Sequence, residues 1–261
     1  MNTSPDSPPS EEKPRPIGVR AILLAAGKGT RMKGAVDDKI LVPIEGKSSF
    51  RRSFDAFHST GLFDGYVIVY RDEPQRSRLA AELSDLAQHP STPLIQWAIG
   101  GALRQDSVFN GLATAGLNTE YVFIHDCARP LVRPADIQKL YDCLPTDRAA
   151  SLARPVTDTL KRVNRRRTHF RKCSLKDIDR RGCWSMETPQ AFDYTLIFDA
   201  YQKVRQDRFL YTDDTSVAAA GGAGITLIEP SFPNPKITRP EDIALATFLL
   251  RNPDLITAPA P

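Results

Sequence analysis

The chain has 261 residues, 41% hydrophobic and 25% charged, with a net charge of +4, which is enough apolar material for one sizeable core. Its apolar runs fall far short of the roughly 20 residues a bilayer-crossing helix needs, so no membrane span is expected. The four cysteines form no close pair and the four histidines are scattered, which argues against a disulfide framework and against a histidine-rich metal centre.

Residues 1–16 hold five prolines and no apolar stretch, and are expected to be a disordered tail. Asp6, Glu11 and Glu12 fit neither a signal nor a transit peptide, so a cytoplasmic protein is expected. Val19–Ala26 is a continuous apolar run ending at a glycine, the pattern of a strand covered on both faces. Similar runs follow at Gly65–Tyr70, Leu94–Ile99, Tyr121–His125 and Ala149–Val156. Between them lie helical stretches: Phe50–Ser59 after Ser48 or Ser49, Gln75–Ala87 after Pro74, Arg104–Ala115, and Ala135–Cys143 after Pro134. Strictly alternating strands and helices imply βαβ units, with helices on both faces of a mostly parallel sheet.

The pattern breaks at residues 157–186, which lack a helical apolar stripe and alternate at Thr159–Val163. A β-arm protruding from the body is expected there, and an arm that cannot bury its own apolar residues suggests a homodimer with exchanged arms. Helices near Tyr194–Val204 and Asp213–Ala220, a strand at Ile225–Ile228 and a last helix opening at Pro240 complete the reading.

The positive charge is local. Residues 161–181 carry ten Lys or Arg against two Asp, leaving the rest net negative. One basic segment with a single aromatic, Phe170, suits an anion site or a solvated arm better than a nucleic-acid face.

The strongest local signal is Ala25-Ala26-Gly27-Lys28-Gly29-Thr30-Arg31-Met32, directly after the first strand. Glycines there let backbone N–H groups approach a triphosphate, at the sheet edge where open α/β folds bind ligands. The same glycines would also serve an ordinary strand-to-helix turn. Arg31 and Lys39 are the cations nearest the loop in sequence, and nucleotidyl transfer needs positive charge around phosphorus. Asp126 ends a predicted strand, where a carboxylate can accept from a ribose, a substrate hydroxyl or a hydrated metal. His125 beside it is expected to be a packed strand residue rather than a base, because the attacking phosphate has no proton to lose.

Seven blocks in order, LLAAGKGTRM with Lys39, GGALRQDSV, HDCARP, DTLKRV, TPQAF, TDDTS and NPKITRPEDI, resemble the 2-C-methyl-D-erythritol 4-phosphate cytidylyltransferases of the non-mevalonate isoprenoid pathway, from about Arg20 to Leu250. The resemblance implies an α/β fold with a Rossmann-like, mostly parallel sheet of the nucleotide-diphospho-sugar transferase type. It implies one domain over 17–251, with 157–186 as a dimerisation and substrate arm and 252–261 as a C-terminal tail. The implied reaction moves CMP from CTP to the polyol phosphate and releases diphosphate. Ala25, Ala26, Gly27, Gly29, Gly101, Ser107 and Asp126 would bind the nucleotide. Arg31, Lys39 and Lys236 would neutralise the α-phosphate, and Asp126, Arg129, Thr159, Arg180, Thr188 and Lys236 would hold the acceptor. Mg²⁺ or another divalent cation would ride mainly on the triphosphate, with Asp126 the side chain considered for it. A ribitol-5-phosphate cytidylyltransferase and a non-catalytic nucleic-acid-binding relative stand as alternatives. Three features depart from the family's pattern: Ile40-Leu41 follow Lys39, Pro235 precedes Lys236, and the arm is unusually basic.

Overall fold

The computed structural model describes residues 18–27, 29, 32, 38–88, 93–163, 173–207 and 209–254. The expected tail at 1–16 and residues 255–261 of the tail expected at 252–261 lie outside them, as do Arg31 and the arm cations Arg165, Arg166, Arg167, Arg171 and Lys172.

The strands β1 (Val19–Leu24), β4 (Gly65–Tyr70), β5 (Leu94–Ile99), β6 (Tyr121–Asp126) and β7 (Ala149–Pro155) fall where the apolar runs predict them. Among the described residues they join β10 (Trp184–Asp193) and β11 (Thr226–Ile228) in a seven-stranded sheet of order β11-β7-β10-β6-β1-β4-β5. β5, β4, β1 and β6 run parallel, β11 runs parallel to β7, and β10 lies antiparallel between β6 and β7. A small antiparallel pair, β2 (Pro43–Ile44) and β3 (Lys47–Ser48), sits outside the sheet.

Alternation within the central strands explains why they are largely apolar. Val19, Ala21 and Leu23 of β1 face one layer with Tyr66, Ile68 and Phe123; Ile22 faces the other with Val67, Val69 and Ile124. The first layer is closed by Phe50, Phe54 and Phe57 of α1 (Ser49–His58) and Ile137, Leu140 and Leu144 of α4 (Pro134–Asp147). The second is closed by Val108 and Leu112 of α3 (Arg104–Ala115) and Ile197, Tyr201 and Val204 of α5 (Tyr194–Asp207). Each of these large side chains, fully buried, contributes about 1.5–3 kcal/mol of transfer free energy.

Local signals set the helix starts. Ser48 Oγ accepts from the Arg51 N–H at the head of α1, and Asp72 accepts from Gln75 N–H at the head of α2 (Glu73–Ala81). The expected helix Gln75–Ala87 is corrected: α2 ends at Ala81 and a 3₁₀ turn covers Ser84–Gln88. Asp213 caps α6 (Asp214–Ala220), and α7 (Pro240–Arg251) opens at its proline.

The arm is corrected at its far end. A hairpin of β8 (Leu160–Arg162) and β9 (Lys176–Ile178) is present, but Trp184–Met186 already belong to β10 and pair with β7. The hairpin therefore leaves the sheet along the β7/β10 ladder. β10 escaped the sequence reading because Pro189 interrupts it and Glu187, Thr188 and Gln190 are buried polar residues; the register shifts between Met186 and Gln190, where the proline cannot donate.

Candidate active site

A cleft of about 470 Å³ opens at the C-terminal ends of β1, β5 and β6, where the helices on both faces leave a crevice. One wall is backbone. Ala25 N–H donates to Val69 O at 2.8 Å, and Ala25 O accepts from Gln75 Nε2 at 3.1 Å. Gln75 also donates to Asp38 at 2.5 Å, and Asp38 lies 3.4 Å from Arg71, a cation that lines the cleft. Gly29 holds φ at +61°, which few side chains adopt, while a Cβ on Gly27 would meet nothing within 4 Å. The backbone of this wall is therefore open to the cleft at Gly27.

The facing wall is Gly100–Ser107. A Cβ on Gly100 would stand 2.5 Å from Ala26 Cβ, so the two glycine-rich segments meet only because Gly100 has no side chain. Gly100 N–H donates to Tyr70 O at 2.7 Å, and Gly101 N–H donates to Ser107 Oγ at 3.0 Å. Ser107, Gly101, Ala25, Ala26, Gly27 and Gly29 thus share one cleft, as the sequence predicts.

The floor carries the charge. Asp126, at the tip of β6, receives Lys236 Nζ at 2.5 Å on Oδ2 and Arg104 Nε at 3.2 Å on Oδ1. Burial works against its charge, but Arg104 and Lys236 outweigh it and hold the carboxyl far below the usual carboxylate range. Lys236 arrives on the 234–238 segment, which docks through Ile237 N–H on Ala128 O at 2.7 Å. Lys39 Nζ donates to Ile237 O at 2.9 Å, so both predicted lysines converge on that segment. Ile40, where the sequence departs from the family pattern, turns inward and is 2% exposed.

Other predicted residues fall elsewhere. Arg129 does not line the cleft; its guanidinium donates to Asn234 O at 2.9 Å and to Met186 O at 3.3 Å, while its buried Nε has no partner. Thr188 is buried, with Oγ1 accepting the Asp126 N–H at 3.1 Å and meeting His125 Nδ1 at 3.1 Å. His125 is fully buried against the Phe57 ring, and burial pushes its pKa down to about 3, in line with a packed strand residue. Thr159 and Arg180 are exposed on the hairpin and are not brought to this chain's own cleft. Arg180 binds back to Thr157 O.

Sequence reasoning missed Arg71, Arg104, Thr238 and Asp214. Arg104 and Asp214 stand inside the blocks GGALRQDSV and TDDTS, but only the fold shows that Asp214 takes both Nη atoms of Arg104, at 2.9 and 2.8 Å. Among the described residues no cluster of three His, Cys, Asp or Glu could hold a metal, and no helix is long and apolar enough to cross a membrane.

A profile of the 2-C-methyl-D-erythritol 4-phosphate cytidylyltransferase family matches residues 19–252, with the cleft and its floor inside the match. The chain belongs to this family. A 2-C-methyl-D-erythritol 4-phosphate cytidylyltransferase of Desulforamulus reducens is 34% identical over 231 residues, 88% of this chain and 95% of that protein. One from Haemophilus influenzae is 35% identical with the same coverage. Among solved structures, a 4-diphosphocytidyl-2C-methyl-D-erythritol synthase from Anaerococcus prevotii superposes with a TM-score of 0.75 over 90% of this chain and 98% of its own, at 24% identity. That likeness shows a shared fold.

Proposed function

We propose that this chain transfers CMP from CTP to 2-C-methyl-D-erythritol 4-phosphate, giving the 4-diphosphocytidyl polyol and diphosphate. The observation that carries the reading is the convergence, at one sheet edge, of a backbone-lined wall with Lys39, Arg71, Arg104, Asp126 and Lys236. The backbone around Ala25–Gly27 and Gly101 reads the pyrimidine, and the cations neutralise the triphosphate. An oxygen of the acceptor's phosphate forms a bond to the α-phosphorus as the bond to the bridging oxygen breaks, and diphosphate leaves with that electron pair. No protein nucleophile and no general base are needed, in keeping with a buried, neutral His125.

Arg31, Lys39 and Lys236 supply the charge at the α-phosphate in this reading; Arg31 lies outside the described residues. Asp126 is the carboxylate of the described cleft lining, and both its oxygens are engaged by Arg104 and Lys236. That donor set suits Mg²⁺ carried on the triphosphate, with Asp126 nearby, rather than a dedicated protein cage. When bound, the ion neutralises phosphate charge and favours departure of diphosphate.

Thr159 and Arg180, exposed on the hairpin, serve the acceptor of a second copy in a homodimer, and the enzyme works in the cytoplasm without nucleic acid. Purified protein supplied with CTP, Mg²⁺ and either 2-C-methyl-D-erythritol 4-phosphate or ribitol 5-phosphate tests the proposal by diphosphate release. Turnover with the first acceptor and little with the second is expected. Release only with ribitol 5-phosphate, or with neither, overturns it.

A further inference from the structure

Behind the cleft floor lies an acid that does not line it. Asp214, at the head of α6, is fully buried, and its carboxylate grips Arg104 end-on: Nη1 to Oδ1 at 2.9 Å and Nη2 to Oδ2 at 2.8 Å. Tyr201 of α5, 1% exposed, donates its hydroxyl to Asp214 Oδ1 at 2.6 Å. Burial, reinforced by Asp214, pushes the Tyr201 phenol well above its ordinary pKa, so it stays a donor. Gln190 of β10 fixes the helix head, its Oε1 accepting from the Asp214 and Thr215 N–H groups at 3.0 Å each. The blocks TPQAF and TDDTS are thereby tied to one guanidinium.

The consequence concerns how Arg104 meets Asp126. A guanidinium and a carboxylate favour a two-point pairing over a single bond. Arg104 makes that pairing with Asp214 and reaches Asp126 through Nε alone, at 3.2 Å, which leaves Asp126 Oδ2 to Lys236. Without the Asp214 carboxylate, the nearest acid for the fork is Asp126, and a two-point grip there would displace Lys236. Replacing a buried ion pair by apolar groups is often neutral or stabilising, so stability alone is a poor reason for an acid at position 214.

We propose that Asp214, backed by Tyr201, is a positioning residue that occupies the fork of Arg104 and so keeps Asp126 available to Lys236. The inference rests on the cytidylyl-transfer reading, in which Lys236 serves the reacting phosphate. It concerns transition-state charge more than uptake of the nucleotide. Its loss therefore falls on kcat, while CTP binding without acceptor is nearly preserved.

The test uses the full chain with Asp214→Asn and, separately, Tyr201→Phe, the second removing a single hydrogen bond. Diphosphate release gives kcat and the acceptor KM, calorimetry with CTP alone gives Kd, and thermal melting reports folding. Asp214→Asn is expected to lose about 30-fold in kcat and Tyr201→Phe about 3-fold, with CTP Kd within about 3-fold of the parent in both. Unchanged kcat in folded variants overturns the inference, as does a CTP affinity that falls in step with kcat. If Asp214→Asn does not fold, Tyr201→Phe decides alone by the same two criteria. Turnover by the parent chain with unaffected variants removes this inference and leaves the functional reading standing; no turnover by the parent removes both.

Discussion

The cleft and the hairpin are both rich in cations, yet they hold them in opposite ways. In the cleft each charge is tied to a segment distant in sequence: Lys39 to Ile237, Lys236 to Asp126, Arg104 to Asp214. On the hairpin the pairs are local and exposed, Lys161 with Asp177 and Arg181 with Asp179. Such exposed pairs contribute little and leave the geometry to solvent. A charge meant for transition-state work has to be placed before substrate arrives, and the fold does this in the cleft. Among the described residues the hairpin consists of two strands of three residues, too short to be stable by themselves.

The sharpest way to break the comparison is to remove a cleft cation. Lys236→Ala should lower kcat about 10²–10³-fold, the range found when one preorganised donor to developing charge is deleted. The variant leaves the buried Asp126 carboxylate to Arg104 alone, so a lowered melting temperature in a folded protein is expected beside that loss; a fall in kcat below tenfold would remove Lys236 from the reaction. Arg180→Ala, on the hairpin, should leave CTP binding alone and lower kcat/KM for the acceptor about 10–100-fold. Mixing the two variant chains sharpens the contrast further. If hairpins are exchanged between copies, the mixture recovers turnover that neither variant shows, because one of the two shared sites regains an intact set. Absence of recovery would return the hairpin to a solvated arm.

A smaller effect is expected at the wall between the glycine segments. Gly100→Ala pushes a methyl against Ala26 Cβ and should weaken CTP binding about 10-fold, as overpacking of this kind costs about 1–3 kcal/mol. Gly224→Ala, outside the cleft and with a Cβ that would meet nothing, is the control for packing. Equal effects of the two would show that the wall's shape does not matter.

The two regions also differ in how far they could be read from residues alone. The parallel strands were legible because burial on both faces demands unbroken apolar runs, as in Ala21–Leu24 and Val67–Val69. β10 was not, since Glu187, Thr188 and Gln190 are buried ahead of Ala191 and Phe192 and take their partners from β7, β6 and α6. In the cleft, Lys39, Asp126 and Lys236 could be named from their blocks. The link between Arg104 and Asp214 spans 110 residues and depends on where α5 and α6 pack, which no local pattern encodes. Arg129 and Thr188 were read as groups reaching for a substrate, whereas in the unliganded fold they bond to Asn234, Met186, Asp126 and His125.

The smallest expected effect concerns the foundation of the cleft. The His125 ring sits between Arg129 O, at 3.2 Å, and Thr188 Oγ1, with Phe57 across it. Burial is the main reason its pKa falls to about 3; Arg129 adds to the fall and Asp126 opposes it. The unfolded chain takes up a proton near pH 6.5, whereas the folded chain refuses it until about pH 3. The stabilisation from a neutral His125 is thus complete above pH 6.5 and is lost as pH falls through that window. For one such group the linkage is about 1.4 kcal/mol per pH unit, so roughly 2 kcal/mol disappears between pH 6.5 and 5.0. His125→Gln stays neutral throughout and should flatten the decline by about that amount, though its stability at pH 7 will be lower from lost packing. Asp126 stays ionised in this interval, and contributions from other groups are common to both proteins and cancel in the difference. Urea denaturation of the two proteins at both pH values measures it; parallel declines would mean that the ring is protonated, or solvated, in the folded chain.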